Sequence, residues 1–334
     1  EKIGGHDMPE ATPGGPRKRR RIDVHQHIYP PRFTKRMIEA LVEDSPDFPA
    51  SMYLDWSPEQ ALAMMETHAI DTVMVSLTSP GLWFGDAAAA REAAREFNEL
   101  AAQMMRDHKG RFGAFAPIPL PDEAGAFAEI KYALDTLKLN GIGLHSSYAG
   151  KWLGDPSFAA VFDELNRRAV PVFVHPVANT RGPVDNPWFA KPTMEFVFDT
   201  TRTIGSLVAS GTLARCPNIK FIFPHAGGAV FMLARRIEAG LSRRLTPQQK
   251  AAWMPNGMPG VLQSLNFDVV SATNETAMAA VRTIVPASRL LFGTDHPFLS
   301  AKSTVDQLGR LGFTPDEMRA IECSNAEALC NLVN

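Results

Sequence analysis

The chain has 334 residues, 45% of them hydrophobic and 21% charged, a balance that supports a sizeable folded core. Its formal net charge of -2 gives no electrostatic pull toward nucleic acid or an anionic membrane, and no run is long and apolar enough to span a bilayer. Cys216, Cys323 and Cys330 are odd in number and lack metal-type spacing, so they read as reduced thiols.

Residues 1–20 are rich in Gly and Pro, end in "PRKRR" and lack apolar residues to pack, so they are expected to form a disordered arm. The rest, 21–334, is expected to be a single domain. The sequence starts without Met, as it would after removal of an export signal; otherwise a cytoplasmic location is expected. From residue 21 onward, short apolar runs alternate with longer amphipathic segments. The runs are "RIDVHQH" (21–27), "DTVMVSL" (71–77), "RFGAFAP" (111–117), "NGIGLH" (140–145), "VPVFVHP" (170–176), "IKFIFPH" (219–225), "LNFDVV" (265–270) and "RLLFGTD" (289–295). Most lack polar alternation, which is the mark of parallel strands buried on both faces. Between them, Ser57, Pro58 and Gln60 announce a capped helix, and "DAAAAREAAREFNELAAQMMRDH" is a long amphipathic helix stopped by Gly110. Further helices are expected after Pro121, Pro156, Glu195, Gly228, Asn274 and Ala301. Eight such units predict an α/β fold, a (β/α)8 barrel, whose active site lies at the carboxyl ends of the strands. Residues 28–56 and 177–194, Pro-rich stretches following strands, read as the longer loops at that end.

The strand ends carry the chemistry. His25 and His27 end the first run, His145 the fourth, His175 the fifth, His225 the sixth, and Asp295 with His296 the eighth. Six of the nine histidines therefore belong at one mouth of the barrel. In a strand, residues two apart share a face, so His25 and His27 converge. Imidazoles with a carboxylate suit one divalent ion, zinc first and Mn²⁺ second, with an open position for water or substrate. A buried histidine pair held by backbone acceptors is the plainer alternative for His25 and His27, and a turn cap is the plainer one for Asp295. His145 and His296 are read as supports behind the metal ligands, as substrate contacts or as polar residues of the rim. Trp83 and Phe84, after "SPGL", are placed against an aromatic substrate, with burial in the core as the alternative. Arg202 is assigned to the substrate carboxylate, against simple charge balance with Glu195 and Asp199.

"DVHQH", "FVHP", "PHAGG" and "FGTDHPF" together resemble the amidohydrolase superfamily, and within it the aminocarboxymuconate-semialdehyde decarboxylase family, from about Arg21 to the C-terminus. The resemblance implies His25, His27, His175 and Asp295 as metal ligands, with Asp295 also catalytic and His225 as an acid/base and positioning group beside them. No lysine ends an inferred strand, so the carbamylated-lysine form with two metals is not expected. "PASMYLDW" has no arginine before Trp56, whereas the muconate-semialdehyde enzymes carry one there. "SLTSPG", "FDTTR" and "HAGG" look more like the 6-methylsalicylate and hydroxybenzoate decarboxylases. Arg236, eleven residues after the "HAGG" histidine, matches an arginine lent to the substrate of a neighbouring subunit, which implies a homodimer. The resemblance thus implies metal-dependent, non-oxidative decarboxylation of a small ortho-hydroxy aromatic acid. Hydrolysis of a lactone, ester or amide on the same ligand shell is the alternative, and a barrel that only binds is a third reading.

Overall fold

The first strand, β1 (Ile22–His27), is buried at every position, as its unbroken apolar and histidine pattern requires of a strand inside a barrel. This and all that follows come from a computed structural model, which describes residues 20–177 and 190–332. The further barrel strands are β2 (Thr72–Ser76), β3 (Phe112–Pro117), β4 (Gly141–His145), β5 (Pro171–His175), β6 (Lys220–Phe223), β7 (Asn266–Asp268) and β8 (Leu290–Leu291). They pair in sequence order, every pair parallel. β8 meets β1 through Val24 N–H to the Phe292 carbonyl (3.0 Å), and a bridge joins Gln26 to His296, so the ring is nearly closed. This is the expected (β/α)8 barrel.

β1 carries one extra residue. Asp23 pairs with Val73 and Gln26 with Val75, three steps on β1 against two on β2, which is a β-bulge. Below it Ile22 and Val24 pack into the barrel with Met74, Phe115, Phe173 and Ile222. Above it the inward phase passes to His25 and His27. The Asp23 carboxylate holds the bulge: it accepts from His25 N–H (3.0 Å), Gln26 Nε2 (2.7 Å), and Thr294 N–H and Oγ1 (3.0 and 2.6 Å). Burial pushes this carboxyl up to about 6, and the hydroxyl and amide donors work against that rise.

In the barrel interior, Phe115 and Phe173 stack at 5.3 Å, and each such fully buried ring contributes roughly 1.5–3 kcal/mol of transfer free energy. Cys323, Ala326 and Cys330 from the C-terminal segment close the bottom, and all three cysteines are free and buried. The outer helices cap as their sequences specify. Ser57 and Gln60 form a reciprocal capping box at Pro58–His68, and Asp86 accepts from Ala88 and Ala89 N–H at the start of Ala87–Asp107.

Two expectations change. The stretch 28–56 is not a plain loop, since it contains α1 (Pro31–Asp44) and α2 (Ala50–Leu54). Phe33, Met37 and Leu41, four apart, give α1 its apolar face, and Pro31 at its first turn starts a helix rather than breaking one. For the same reason the helix expected after Glu195 begins earlier, at Lys191 with Pro192 in its first turn; we call this helix (Lys191–Ala209) α3. The helix after "HAGG" is α4 (Val230–Ser242). The N-terminal arm lies outside the described residues apart from Arg20, which pairs with Glu327 at 2.9 Å, and the stretch 177–194 lies largely outside them. Among the described residues no helix is long and apolar enough to cross a membrane.

Candidate active site

His25 and His27 from β1, His175 from the end of β5 and Asp295 after β8 place four ligand atoms within 4.8 Å of one another. His25 Nε2 lies 3.2 Å from His27 Nε2 and 3.3 Å from Asp295 Oδ1, and His27 Nε2 lies 3.1 Å from that same oxygen. The opposite ring nitrogens fix the tautomers. His25 Nδ1 faces Asp268 Oδ2 (2.8 Å), His27 Nδ1 the Ser76 carbonyl (3.2 Å) and His175 Nδ1 the Pro176 carbonyl (2.8 Å). Each Nδ1 must donate to its acceptor, so each Nε2 turns a lone pair inward.

Four lone pairs, one on a carboxylate, thus crowd a single point. They repel unless a positive charge lies between them. Burial resists charge on His25, yet the Asp295 and Asp268 carboxylates outweigh it and raise the imidazole to about 10. Burial dominates at His27 and His175 and lowers both, with neighbouring imidazoles adding to the effect. A proton can bridge two of the four lone pairs, whereas a divalent ion engages them all. Tetrahedral ligands at about 2.0–2.1 Å from zinc would lie about 3.3 Å apart, close to the 3.1–3.3 Å spacings among His25, His27 and Asp295, with the His175 atom within 4.8 Å of them. His25, His27, His175 and Asp295 therefore make a divalent-metal site for one ion.

His225 stands beside the ligands. Its Nε2 is 3.4 Å from Asp295 Oδ2, and its Nδ1 is buried with no hydrogen-bond partner among the described residues. The backbone is left-handed at His225 (φ 54°) and Ala226 (φ 48°), an uncommon state for residues other than glycine. Gly228 follows because a Cβ there would collide with the Val197 carbonyl oxygen on α3. Asp268 ties the two halves together: its Oδ1 accepts from His225 N–H (2.9 Å) and Val270 N–H (3.0 Å), while Oδ2 holds His25. Sequence reading did not single out Asp268; a lone carboxylate at the end of an otherwise apolar strand was the available signal.

His175, His225 and Asp295 open on a cavity of about 360 Å³. Its walls include Phe48, Phe196, Val197 and Phe298, with Ser45, Thr78 and Ser271 as polar contacts. Phe298 packs on His27 (5.7 Å between centroids) and on Phe48 (5.1 Å). Among the described lining residues there is no Arg or Lys, and Asp47 is the one acid besides Asp295.

The residues assigned to substrate are distributed differently. His145 donates through Nε2 to the Thr78 carbonyl (3.1 Å), and burial lowers it to about 4, so it is neutral. With Trp83 it lines a separate, smaller cavity. Phe84 is 49% exposed. His296 gives its carbonyl to His27 N–H (3.0 Å), and burial lowers its imidazole too to about 4. The Arg202 side chain is half-exposed on α3, with Nη1 3.7 Å from Glu195, and Arg236 is exposed on α4; neither lines the metal cavity.

Comparison with known proteins gives this geometry its setting. The chain is 33% identical over 306 residues to the decarboxylase yanB of Aspergillus niger, covering 87% of this chain and 80% of that one. It is 31% identical over 282 residues to the 6-methylsalicylic acid decarboxylase acuB of Aspergillus aculeatus, covering 83% and 84% respectively. The apo crystal structure of Metarhizium anisopliae IDCase superposes with a TM-score of 0.79 at 25% identity, over 93% of this chain and 97% of that one. The Amidohydrolase family description matches residues 22–332. With its strand-end metal site and its nearly closed parallel barrel, the chain belongs to the amidohydrolase family.

Proposed function

We propose that the protein is a metal-dependent, non-oxidative decarboxylase of a small aromatic acid carrying an ortho hydroxyl, with 21–334 as one catalytic domain. The observation that carries this reading is the double use of Asp295: Oδ1 turns to the metal ligands, while Oδ2 faces His225 beside an aromatic-walled cavity. The kinship with the decarboxylase yanB and the 6-methylsalicylic acid decarboxylase acuB points the same way. Zinc suits the three imidazoles and one carboxylate best, and Mn²⁺ is the second choice.

Direct loss of CO₂ would leave an aryl carbanion, so the ring carbon is protonated first. A divalent ion held by His25, His27, His175 and Asp295 would supply the positive charge that stabilises an anionic substrate in the cavity. Phe48, Phe196 and Phe298 fix the plane of the ring and exclude water. Burial favours a neutral Asp295, but His25 outweighs it and holds the carboxyl well below the usual range. Asp295, through the oxygen that faces His225, takes up the proton released by the phenol and delivers it to the carbon bearing the carboxylate. The carbon–carbon bond then breaks, its electrons restore the aromatic ring and return the oxygen to a phenolate, CO₂ leaves, and a proton from solvent completes the neutral phenol. His225, 3.4 Å from Oδ2, holds Asp295 in register and offers its second nitrogen to the substrate. Arg202 would guide the carboxylate from the rim. Arg236 and the 79%-exposed Met232, one turn earlier on α4, are read as facing a second copy in a homodimer. The test is CO₂ release from a panel of hydroxybenzoates, run beside ester, lactone and amide hydrolysis; hydrolysis without CO₂ release would overturn the reading.

A further inference from the structure

His145 and Trp83 line a second cavity of about 190 Å³ with Asp44, Ser79, Tyr148 and Val177. It lies against the metal cavity, and consecutive residues divide the two: Ser45 and Thr78 face the metal side, Asp44 and Ser79 the other. Two polar atoms in its wall are unsatisfied. Asp44 Oδ2 and Ser79 Oγ are buried without a hydrogen-bond partner among the described residues, and Ser79 is only 3% exposed. The Ser79 hydroxyl lies near enough to Asp44 to act on it as a donor, and Lys191 also favours the Asp44 charge, though the hydroxyl and Oδ2 are not aligned as a full hydrogen bond. Buried polar atoms are nearly always paired, and Ser79 has a single proton to give, so the remaining lone pairs of the Asp44 carboxylate leave room for a ligand that donates.

The rest of the wall narrows the class. Among the described residues the lining contains no Arg or Lys, Lys191 acts on Asp44 only from outside it, and His145 Nε2 is already engaged with the Thr78 carbonyl, so a carboxylate in the cavity would meet the Asp44 carboxylate with no cation in the wall. The half-buried indole of Trp83 offers a flat apolar surface. A dry cavity of roughly 150 Å³ already takes benzene, so one small substituted ring fits. We propose that this second cavity is a subsite for a neutral phenol, whose hydroxyl donates to Asp44 while its ring lies against Trp83. The identification of that phenol as the decarboxylated product rests on the function proposed above: loss of the carboxylate turns a ligand of the metal cavity into one suited to its neighbour.

Isothermal titration of the metal-loaded protein with phenol, and separately with benzoate, tests this. Phenol should bind the unaltered protein and His175→Ala with the same affinity within about twofold, because the subsite does not need the metal ligands. Asp44→Ala should weaken phenol by about tenfold or more, the loss of a hydrogen bond to a charged acceptor. Ser79→Ala, a smaller change that covers a failure of Asp44→Ala to fold, should weaken it by about threefold. Benzoate should show the opposite dependence. Phenol binding that needs His175 and ignores Asp44, or no saturable phenol binding at all, overturns the subsite. If phenol binds through Asp44 yet no hydroxybenzoate loses CO₂, the subsite stands and the decarboxylase reading falls. Decarboxylation without phenol binding would instead remove the subsite and leave the decarboxylase reading in place.

Discussion

Replacing Asp268 by Asn would test how the metal site is held without disturbing its shape. In the native chain one oxygen accepts from the His225 and Val270 amides, and the other accepts from His25 Nδ1 at 2.8 Å. An asparagine keeps the carbonyl oxygen for the two amides, so its NH₂ must face His25. Two donors cannot share that contact. His25 then moves its proton to Nε2, the atom that has to bind metal, or the ring turns away. Loss of a partner of this kind typically lowers metal affinity 10–100-fold, about 1.4–2.7 kcal/mol. Both backbone amides stay paired, so the fold is kept, while the chelator-treated protein should melt lower because the charged His25 loses its buried carboxylate partner. The assay is competition for Zn²⁺ against a fluorescent chelator, with the melting curve of the chelated protein as control. Unchanged zinc affinity in a correctly folded Asp268→Asn variant would refute the tautomer argument for the site.

His175→Ala should lose metal and activity together, whereas His225→Ala should keep most of its metal and lose turnover; equal metal loss by elemental analysis would make His225 a ligand. Asp44 ionises at about 6 in the folded chain, raised by burial from 3.8. The folded state therefore binds more protons between those values, and the charge detracts from stability above pH 6. Asp44→Asn should stabilise the protein at pH 7 by on the order of 1–2 kcal/mol after allowance for partial exposure, and thermal melts should show the gain vanishing near pH 4. Mixing inactive Arg236→Ala and Asp295→Asn proteins should restore part of the activity after subunit exchange if Arg236 serves the partner's substrate; confirmed exchange without recovery would place it elsewhere.

The ligand set was legible because strand-end residues inherit their direction from the barrel. His25 and His27 share a side by period two, and His175 and Asp295 sit where β5 and β8 deliver them. What could not be read is what depends on the path of connecting chain. Trp83 follows a turn whose course decides which cavity its ring enters, and Arg202 bends back toward Glu195 on its own helix. Phe298 and Phe48 become cavity walls because α1 and α2 fold a small core of their own over the strand ends, a contact between segments about 250 residues apart in a chain of 334. Asp268 stayed hidden for a different reason: its role is to hold another residue, and no spacing rule announces such a partner.

The bulge in β1 has a consequence for how this barrel can change. In a strand of unbroken alternation, keeping Ile22 and Val24 inside would turn His25 and His27 outward. The bulge separates two phases in one strand, so the hydrophobic floor and the chemical rim need not be written in the same register. Substitutions in the floor can therefore be repacked without re-aiming the imidazoles. One residue inserted after Val24, by contrast, would turn both imidazoles away from the metal and leave the floor residues in place. Variation in such a barrel is expected to be tolerant of exchange below that point and intolerant of added length across it.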